Sequence, residues 1–337
     1  MIAAQGAPAR RIGTRTLLGA LAGGALVAVL ASFPFWAGSD AMRLVVEFAC
    51  LLAMAQMWNL LAGYGGLVSI GQQAFIGIGA YALFVFANGL GVNPFLCVPL
   101  GGLVAAALAI PTSRVLFRLS GGYFAVASWV VAEVYRLLVA NVSALGGGSG
   151  ESLTAMIGIP KDAREAITLW LAVALLVATT GGVYWLLRTR LGLALTAIRD
   201  NDVAAESQGV DVARTKLIVY VLAAFGTGCA GALYFLSALR ISPDAAFGMS
   251  WIPLLFFTVI IGGIGTLEGP ILGTLLYFTL RQTLSDYGAW YLIGLGLLAI
   301  VVMIRFPRGL WGELSARLGW QLFPVQRILR EPPDATP

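Results

Sequence analysis

RTRLGLALTAIRDNDVAAESQGVDVARTK, running from Arg188 to Lys216, is a charged island in an otherwise apolar chain. It holds five of the 21 basic residues and four of the 16 acidic ones. An apolar run long enough to cross a membrane lies on each side, 167–187 before it and 217–238 after it. A membrane protein that displays so compact, mixed-charge and helix-forming a loop on one face presents it to another protein. The chain therefore reads as a subunit rather than a self-sufficient machine.

The composition points the same way. Hydrophobic residues make up 59% of the chain and charged residues 11%, against roughly 45–50% and about 25% in soluble domains. The 42 glycines suit membrane helices, where small residues let backbones approach. The net charge of +5 would suggest nucleic acid, but the charges fall in short loops and at the ends of apolar runs, so no nucleic-acid partner is expected. Cys50, Cys97 and Cys229 are far apart inside apolar segments and give neither metal nor disulfide spacing. Histidine, the commonest metal ligand and general base, is absent. No catalytic residue, metal or cofactor is assigned to this chain.

A spanning helix takes ~20 mostly apolar residues. Candidates are 16–37, 43–63, 67–88, 95–111, 121–140, 167–187, 217–238, 250–264, 270–285 and 289–305. The third is rich in glycine and polar residues and the eighth and ninth are short, so broken or re-entrant helices are expected there. The fold class is all-α, a polytopic transmembrane bundle of about eight to ten crossings. Residues 1–15 form an N-terminal segment, 16–305 the membrane domain with its loop 188–216, and 306–337 a tail. The run 16–37 exceeds the roughly 7–15 residues of a signal core and reads as a retained helix. A Gly/Ser-rich loop, Ala144 to Glu165, is long enough to carry local structure.

With ten crossings and the N-terminus in the cytoplasm, only Arg43, Arg136, Lys161, Arg164, Arg240 and Arg281 fall on the outer side or its margins. The other fifteen Lys and Arg, Arg10, Arg11 and Arg15 among them, fall inside, as the positive-inside rule requires. Both termini and the charged island are thus expected in the cytoplasm. The tail mixes Trp311, Leu314, Leu318 and Trp320 with Arg317 and Arg327, the pattern of an interfacial helix.

Within the island, Leu191, Ala194, Leu195 and Ile198 recur at helical spacing and form one apolar stripe. Asn201 or Asp202 can cap a short helix, Val203–Gln208, and Gly209 can end it in a left-handed turn. Ala204 and Ala205 would give that helix a small face and Glu206 a charged one. A solvated loop with ordinary caps fits the same residues.

The segment AIRDNDVAAESQGVDVARTK, 197–216, resembles the cytoplasmic coupling loop of ATP-binding-cassette importer permeases, in particular those of branched-chain amino acid importers. Three further stretches resemble that family in order. They are NLLAGYGGLVSIGQQAFIGIGAYA (Asn59–Ala82), RLSGGYFAVASWVVAEVYRLL (Arg118–Leu138) and VIIGGIGTLEGPILGTLL (Val259–Leu276). The similarity covers about residues 43–305. It implies an inner-membrane subunit that forms the substrate path with a second permease as a heterodimer. Two cytoplasmic ATPase subunits holding ATP and Mg would drive it, and an extracytoplasmic binding protein would deliver substrate. The ATPase-coupling role would fall to Ala204, Ala205, Glu206 and Gly209, with Arg199, Asp200 and Asn201 leading in. Urea, short amides and aromatic acids are alternative substrates within the superfamily. An ion-coupled carrier or channel is the rival of another class.

A phosphate-binding loop needs Gly-Lys-Ser/Thr, and the two lysines, Lys161 after Pro160 and Lys216 after Thr215, offer none. ATP chemistry would therefore lie in another chain. Between Gly63 and Tyr81, glycines weaken the helix while Ser69, Gln72 and Gln73 place polar groups at membrane depth. These groups, with Asn59, either line the path or bond across helix contacts. Gly265, Gly269 and Gly273 are four apart and would form one small helix face around Pro270, as a tight contact or a hinge. Glu268 is expected at the cytoplasmic edge, where charge costs little. A charge at mid-bilayer costs roughly 3 kcal/mol. Glu133 and Arg136, three apart, are read as a pair, and Glu47 as reaching the outer interface.

Overall fold

In a bilayer core no water is available to bond exposed N–H and C=O groups, so apolar stretches close their hydrogen bonds internally as helices. Each of the ten apolar segments contains a helix, though not over its whole length, in this computed structural model, which describes residues 14–284, 290–306 and 308–318. Segment 1–13, with Arg10 and Arg11, and the tail from 319, with Trp320, Arg327 and Arg330, lie outside the described residues.

The chain begins with α1 (Thr14–Ser32) and α2 (Ser39–Asn59), which continues through a π-type turn, Leu60–Tyr64. Residues 65–72 are not helical, and α3 runs only from Gln73 to Phe84 before a second π-type turn, Val85–Gly89. Then come α4 (Cys97–Leu116), α5 (Gly122–Ala140) and α6 (Lys161–Leu187). The charged island forms α7 (Arg190–Asp200) and α8 (Asp202–Ser207) and opens α9 (Val212–Ala238). The last part holds α10 (Pro243–Phe247), α11 (Trp251–Phe256) with a π-type turn Phe257–Ile261, α12 (Gly269–Leu284), α13 (Trp290–Arg305) and α14 (Gly309–Leu318).

Among the described residues, six helical stretches are long and apolar enough to cross a membrane, with a seventh if α13 and α14 count as one span bent by 42°. The third segment falls short because its first residues are unwound, and Gly65 and Gly66 at its start give no helical drive. The sixth starts earlier than expected: Lys161–Glu165 are helical rather than loop.

The interior is built on α2 and α9, with 78% and 67% of the residues in their most apolar stretches buried, against 22% for α5 at the periphery. On another side of α9, and against α4, packs α3, buried along its length except at Ala82. At the crossing of α3, α4 and α9 the backbones meet through Gly79, Gly101 and Gly228, the small-residue contact that substitutes for hydrophobic drive in lipid. Aromatic edges fill the adjoining layer, where Tyr220 takes Phe75 at 5.4 Å and Phe117 at 5.5 Å, both T-shaped. The loop 144–165 carries local structure as expected. Its β1 (Glu151–Ser152) pairs antiparallel with β2 (Arg240–Ile241), Glu151 opposite Ile241. Asn88 at the end of α3 pins that loop by donating to the Glu151 carboxylate at 2.7 Å and to the Ser152 carbonyl at 3.0 Å.

Candidate functional site

The charged island is folded by its own caps. In α7 the stripe turns inward: Leu195 and Ile198 are buried against the bundle, while Leu193 on the opposite face stays exposed. Asn201 then takes an extended conformation, and its side-chain oxygen accepts the Ala204 N–H at 3.0 Å. This makes Asn201, not Asp202, the N-cap of α8. At the other end Gly209 adopts φ +84°, and its N–H donates to the Glu206 carbonyl at 2.9 Å, so the chain reverses where a side chain would be strained. Asp211 caps α9 by accepting the Arg214 N–H at 2.9 Å. Asp202, the first residue of α8, forms an ion pair with Lys216 on α9. The outcome is a short helix clipped at both ends to its neighbours.

Its faces differ from expectation in one respect. Ala205 is buried, but Ala204 is exposed beside Glu206, because adjacent residues on a helix point about 100° apart and cannot share one small face. The outward surface consists of Val203, Ala204, Glu206, Ser207 and Gly209. Val203 is 73% exposed and was not singled out in the sequence. An isolated valine inside DNDVAAES is its one signal.

Arg199 connects this loop to the membrane core. Its Nε and Nη2 reach Asp200 Oδ1 at 3.2 Å, an exposed pair of little energetic weight. Its Nη1 donates to the Gly63 carbonyl at 3.2 Å, in the π-type turn that ends α2. That turn packs on the late break. A methyl on Gly63 would collide with the Asn59 side chain and with the backbone of Gly265.

The break itself spans 263–268 and is held from α2. The Asn59 amide donates to the Thr266 carbonyl at 2.7 Å, and its oxygen accepts the Gly265 N–H at 2.8 Å. One turn earlier, Gln56 donates to the Leu267 carbonyl at 2.8 Å. These side chains supply the partners that unwound backbone lacks in an apolar medium. Gly265 therefore does not belong to a continuous helix face. It sits in the loop at φ +74°, and only Gly269 and Gly273 lie on α12. Gly273 is the tight contact, since a methyl there would overlap the Thr258 carbonyl. Pro270 is the second residue of α12, where its missing N–H needs no partner, so it starts the helix rather than bending it.

Glu268 is also not at a solvated edge: it is 6% exposed. It directly precedes α12, and its carbonyl accepts the Leu272 N–H at 3.1 Å. The helix N-terminus, with its partial positive charge, favours a carboxylate there where water does not reach. The helix α14 covers the break, and Trp311 is buried over Gly263 rather than facing lipid.

The remaining polar residues lie inside the bundle. Ser69 is buried; its carbonyl accepts the Trp58 indole N–H at 2.8 Å and its hydroxyl accepts the Gly71 N–H at 3.2 Å. The Gln72 amide donates to the Thr227 hydroxyl of α9 at 2.7 Å. The side-chain oxygens of Gln72 and Gln73 are buried without a hydrogen-bond partner among the described residues. The deeper charges are paired. Arg136 Nε meets Glu133 at 2.9 Å, as their spacing predicts, and Nη1 also reaches Asp244 of α10 at 2.6 Å. Glu47 is joined to Arg281 of α12 at 3.0 Å. No group of three or more metal-ligating side chains occurs among the described residues.

Comparison with known proteins extends the picture. A family model described as "Branched-chain amino acid transport system / permease component" matches residues 41–305. The high-affinity branched-chain amino acid transport system permease protein LivM of Salmonella typhimurium is 25% identical over 312 residues, covering 85% of this chain and 73% of its own. A probable branched-chain amino acid transport permease of Methanocaldococcus jannaschii is 23% identical, with 88% and 83% covered. A fructose import permease of Bifidobacterium longum is 30% identical over 159 residues, covering 44% of this chain and 46% of its own. No solved structure matches. The ordered motifs, the helical membrane bundle and a family match over most of its length make this chain a member of the branched-chain amino acid permease family of ABC importers.

Proposed function

We propose that this chain is one of two permease subunits that together form the path of an ATP-driven importer for branched-chain or similar amino acids. The observation that carries the reading is α8: a capped, exposed helix joined through Arg199 to Gly63 and the break at 263–268. In this reading two cytoplasmic ATPase subunits, which hold ATP and Mg, seat the Val203, Ala204, Glu206 and Gly209 surface in a cleft. Movement of α8 would pull on Arg199 and so on the packed turn and loop at the ends of α2 and α12. Both termini then lie in the cytoplasm, and a binding protein delivers substrate to the opposite face. Gln72 and Gln73 are assigned to the path as polar groups at membrane depth whose amide oxygens are buried without a partner among the described residues.

The pairing of Glu47, Glu133 and Arg136 inside the chain supports the importer over an ion-coupled carrier, which needs free titratable groups in the membrane. A wider substrate class is the second reading, favoured by partial similarity to permeases named for fructose and for L-arabinose. The test is disulfide cross-linking of Val203→Cys and Ala204→Cys, placed singly, to the ATPase chains in native membranes. Cross-links from both positions are expected. Their absence, with an Ala205→Cys control also silent and all variants inserted, overturns the coupling assignment.

A further inference from the structure

At the end of the bundle opposite the 188–211 loop, the starts of α2 and α6 and the end of α9 form an open-sided cavity of about 210 Å³. The cavity has room for several waters, and so for a phosphate with a short amine. Its lining is strongly charged for a membrane domain: Arg43, Lys161 and Arg164 against Asp40 and Glu165. Asp40, Arg43 and Lys161 are exposed and so open to a ligand from the headgroup layer. Arg43, Arg164 and Asp40 form no ion pair or side-chain hydrogen bond among the described residues. Glu165 has one oxygen 3.7 Å from Lys161 Nζ and the other enclosed without a hydrogen-bond partner.

The depth of the cavity follows from helix length. The helices α6 and α9 are 27 residues each, about 40 Å at 1.5 Å per residue, close to the roughly 40–45 Å of a bilayer with its headgroups. Their ends therefore lie at headgroup level. The α1–α2 connection beside the cavity agrees, since Phe35 is 81% and Trp36 64% exposed, as in an interfacial aromatic belt.

We propose that this cavity is a binding site for the headgroup of an aminophospholipid: a phosphate monoanion carrying a primary ammonium. Arg43 and Arg164 bind the phosphate, as guanidinium groups favour, and Asp40 and Glu165 accept from the ammonium. None of the residues assigned to coupling or to the path lines this cavity, so the site stands or falls separately from the proposed function.

The test is native mass spectrometry of the full chain in detergent with equal phosphatidylethanolamine, phosphatidylcholine and phosphatidylglycerol. Loss of charge-assisted bonds to the ammonium should favour phosphatidylethanolamine roughly tenfold over the other two. The variant Asp40→Asn should bring phosphatidylethanolamine and phosphatidylcholine together, and Arg43→Gln with Arg164→Gln should weaken all three. Equal retention of the three lipids by the unaltered chain overturns the proposal, as does an unchanged preference in a folded Asp40→Asn variant. Displacement by soluble O-phosphoethanolamine at the lipid's own concentration would identify a soluble phosphate ester as the ligand and overturn the lipid assignment.

Discussion

Asn59→Ala tests whether the unwound loop at 263–268 depends on α2. The substitution removes the donor to the Thr266 carbonyl at 2.7 Å and the acceptor of the Gly265 N–H at 2.8 Å. Each buried backbone group left without a partner costs about 1–3 kcal/mol. Thr266 and Gly265 are half-buried and regain some solvent, so a total of about 2–4 kcal/mol is expected for opening the loop. Opening at 263–267 should then be roughly 30- to 700-fold more frequent, at about 1.4 kcal/mol per factor of ten. Peptide-resolved hydrogen exchange of the purified chain reads this directly, with the buried α3–α9 contact as internal reference. Asn59→Asp at neutral pH would bury a carboxylate and set one oxygen against the Thr266 carbonyl, so it should open the loop at least as much as Asn59→Ala. Exchange at 263–267 in Asn59→Ala within threefold of the unaltered chain would refute the reasoning.

Further consequences concern the loop and the packed interior. Gly209→Val meets no atom within 4 Å, so its effect arises from the left-handed backbone alone, about 1–2 kcal/mol; ATP-driven uptake should fall while membrane insertion is unchanged, as measured by transport in vesicles beside quantitative blotting. Glu206→Lys should reduce substrate-stimulated ATP hydrolysis in the assembled importer without altering the melting of the isolated chain. Gln72→Met removes the bond to Thr227, worth about 0.6–1.7 kcal/mol between membrane helices; a double-mutant cycle with Thr227→Val on detergent-unfolding free energies should recover most of it. Gly273→Leu should prevent α12 from closing on Thr258 and give a chain that is inserted but protease-sensitive around 263–268, seen by limited proteolysis.

The class of molecule was decided by one-dimensional properties. A run of apolar residues must become a helix in lipid whatever surrounds it, so a helix within each of the ten segments could be read from composition alone, though not which of them are long and unbroken enough to cross. Caps are equally local. The Asn201 cap, the Gly209 reversal and the Glu133–Arg136 pair join residues three or four apart or set a single backbone angle, and their spacing announced them.

Contacts between distant segments were not legible. Asn59 and Gly265 are 206 residues apart, and only the packing of α2 against the late break turns a polar residue at membrane depth into a support for unwound backbone. The same packing moved Gly265 off the helix, buried Glu268 at a helix N-terminus and joined Glu47 to Arg281. It also let Arg199, one more arginine in a charged loop, reach the Gly63 carbonyl. The sequence by itself determined a helical membrane subunit with a capped, partner-facing loop, because backbone satisfaction and capping act over a few residues. The tertiary structure decided which polar groups hold the broken helices and which charges are paired, because those energies exist only once segments far apart in the chain have been brought into contact.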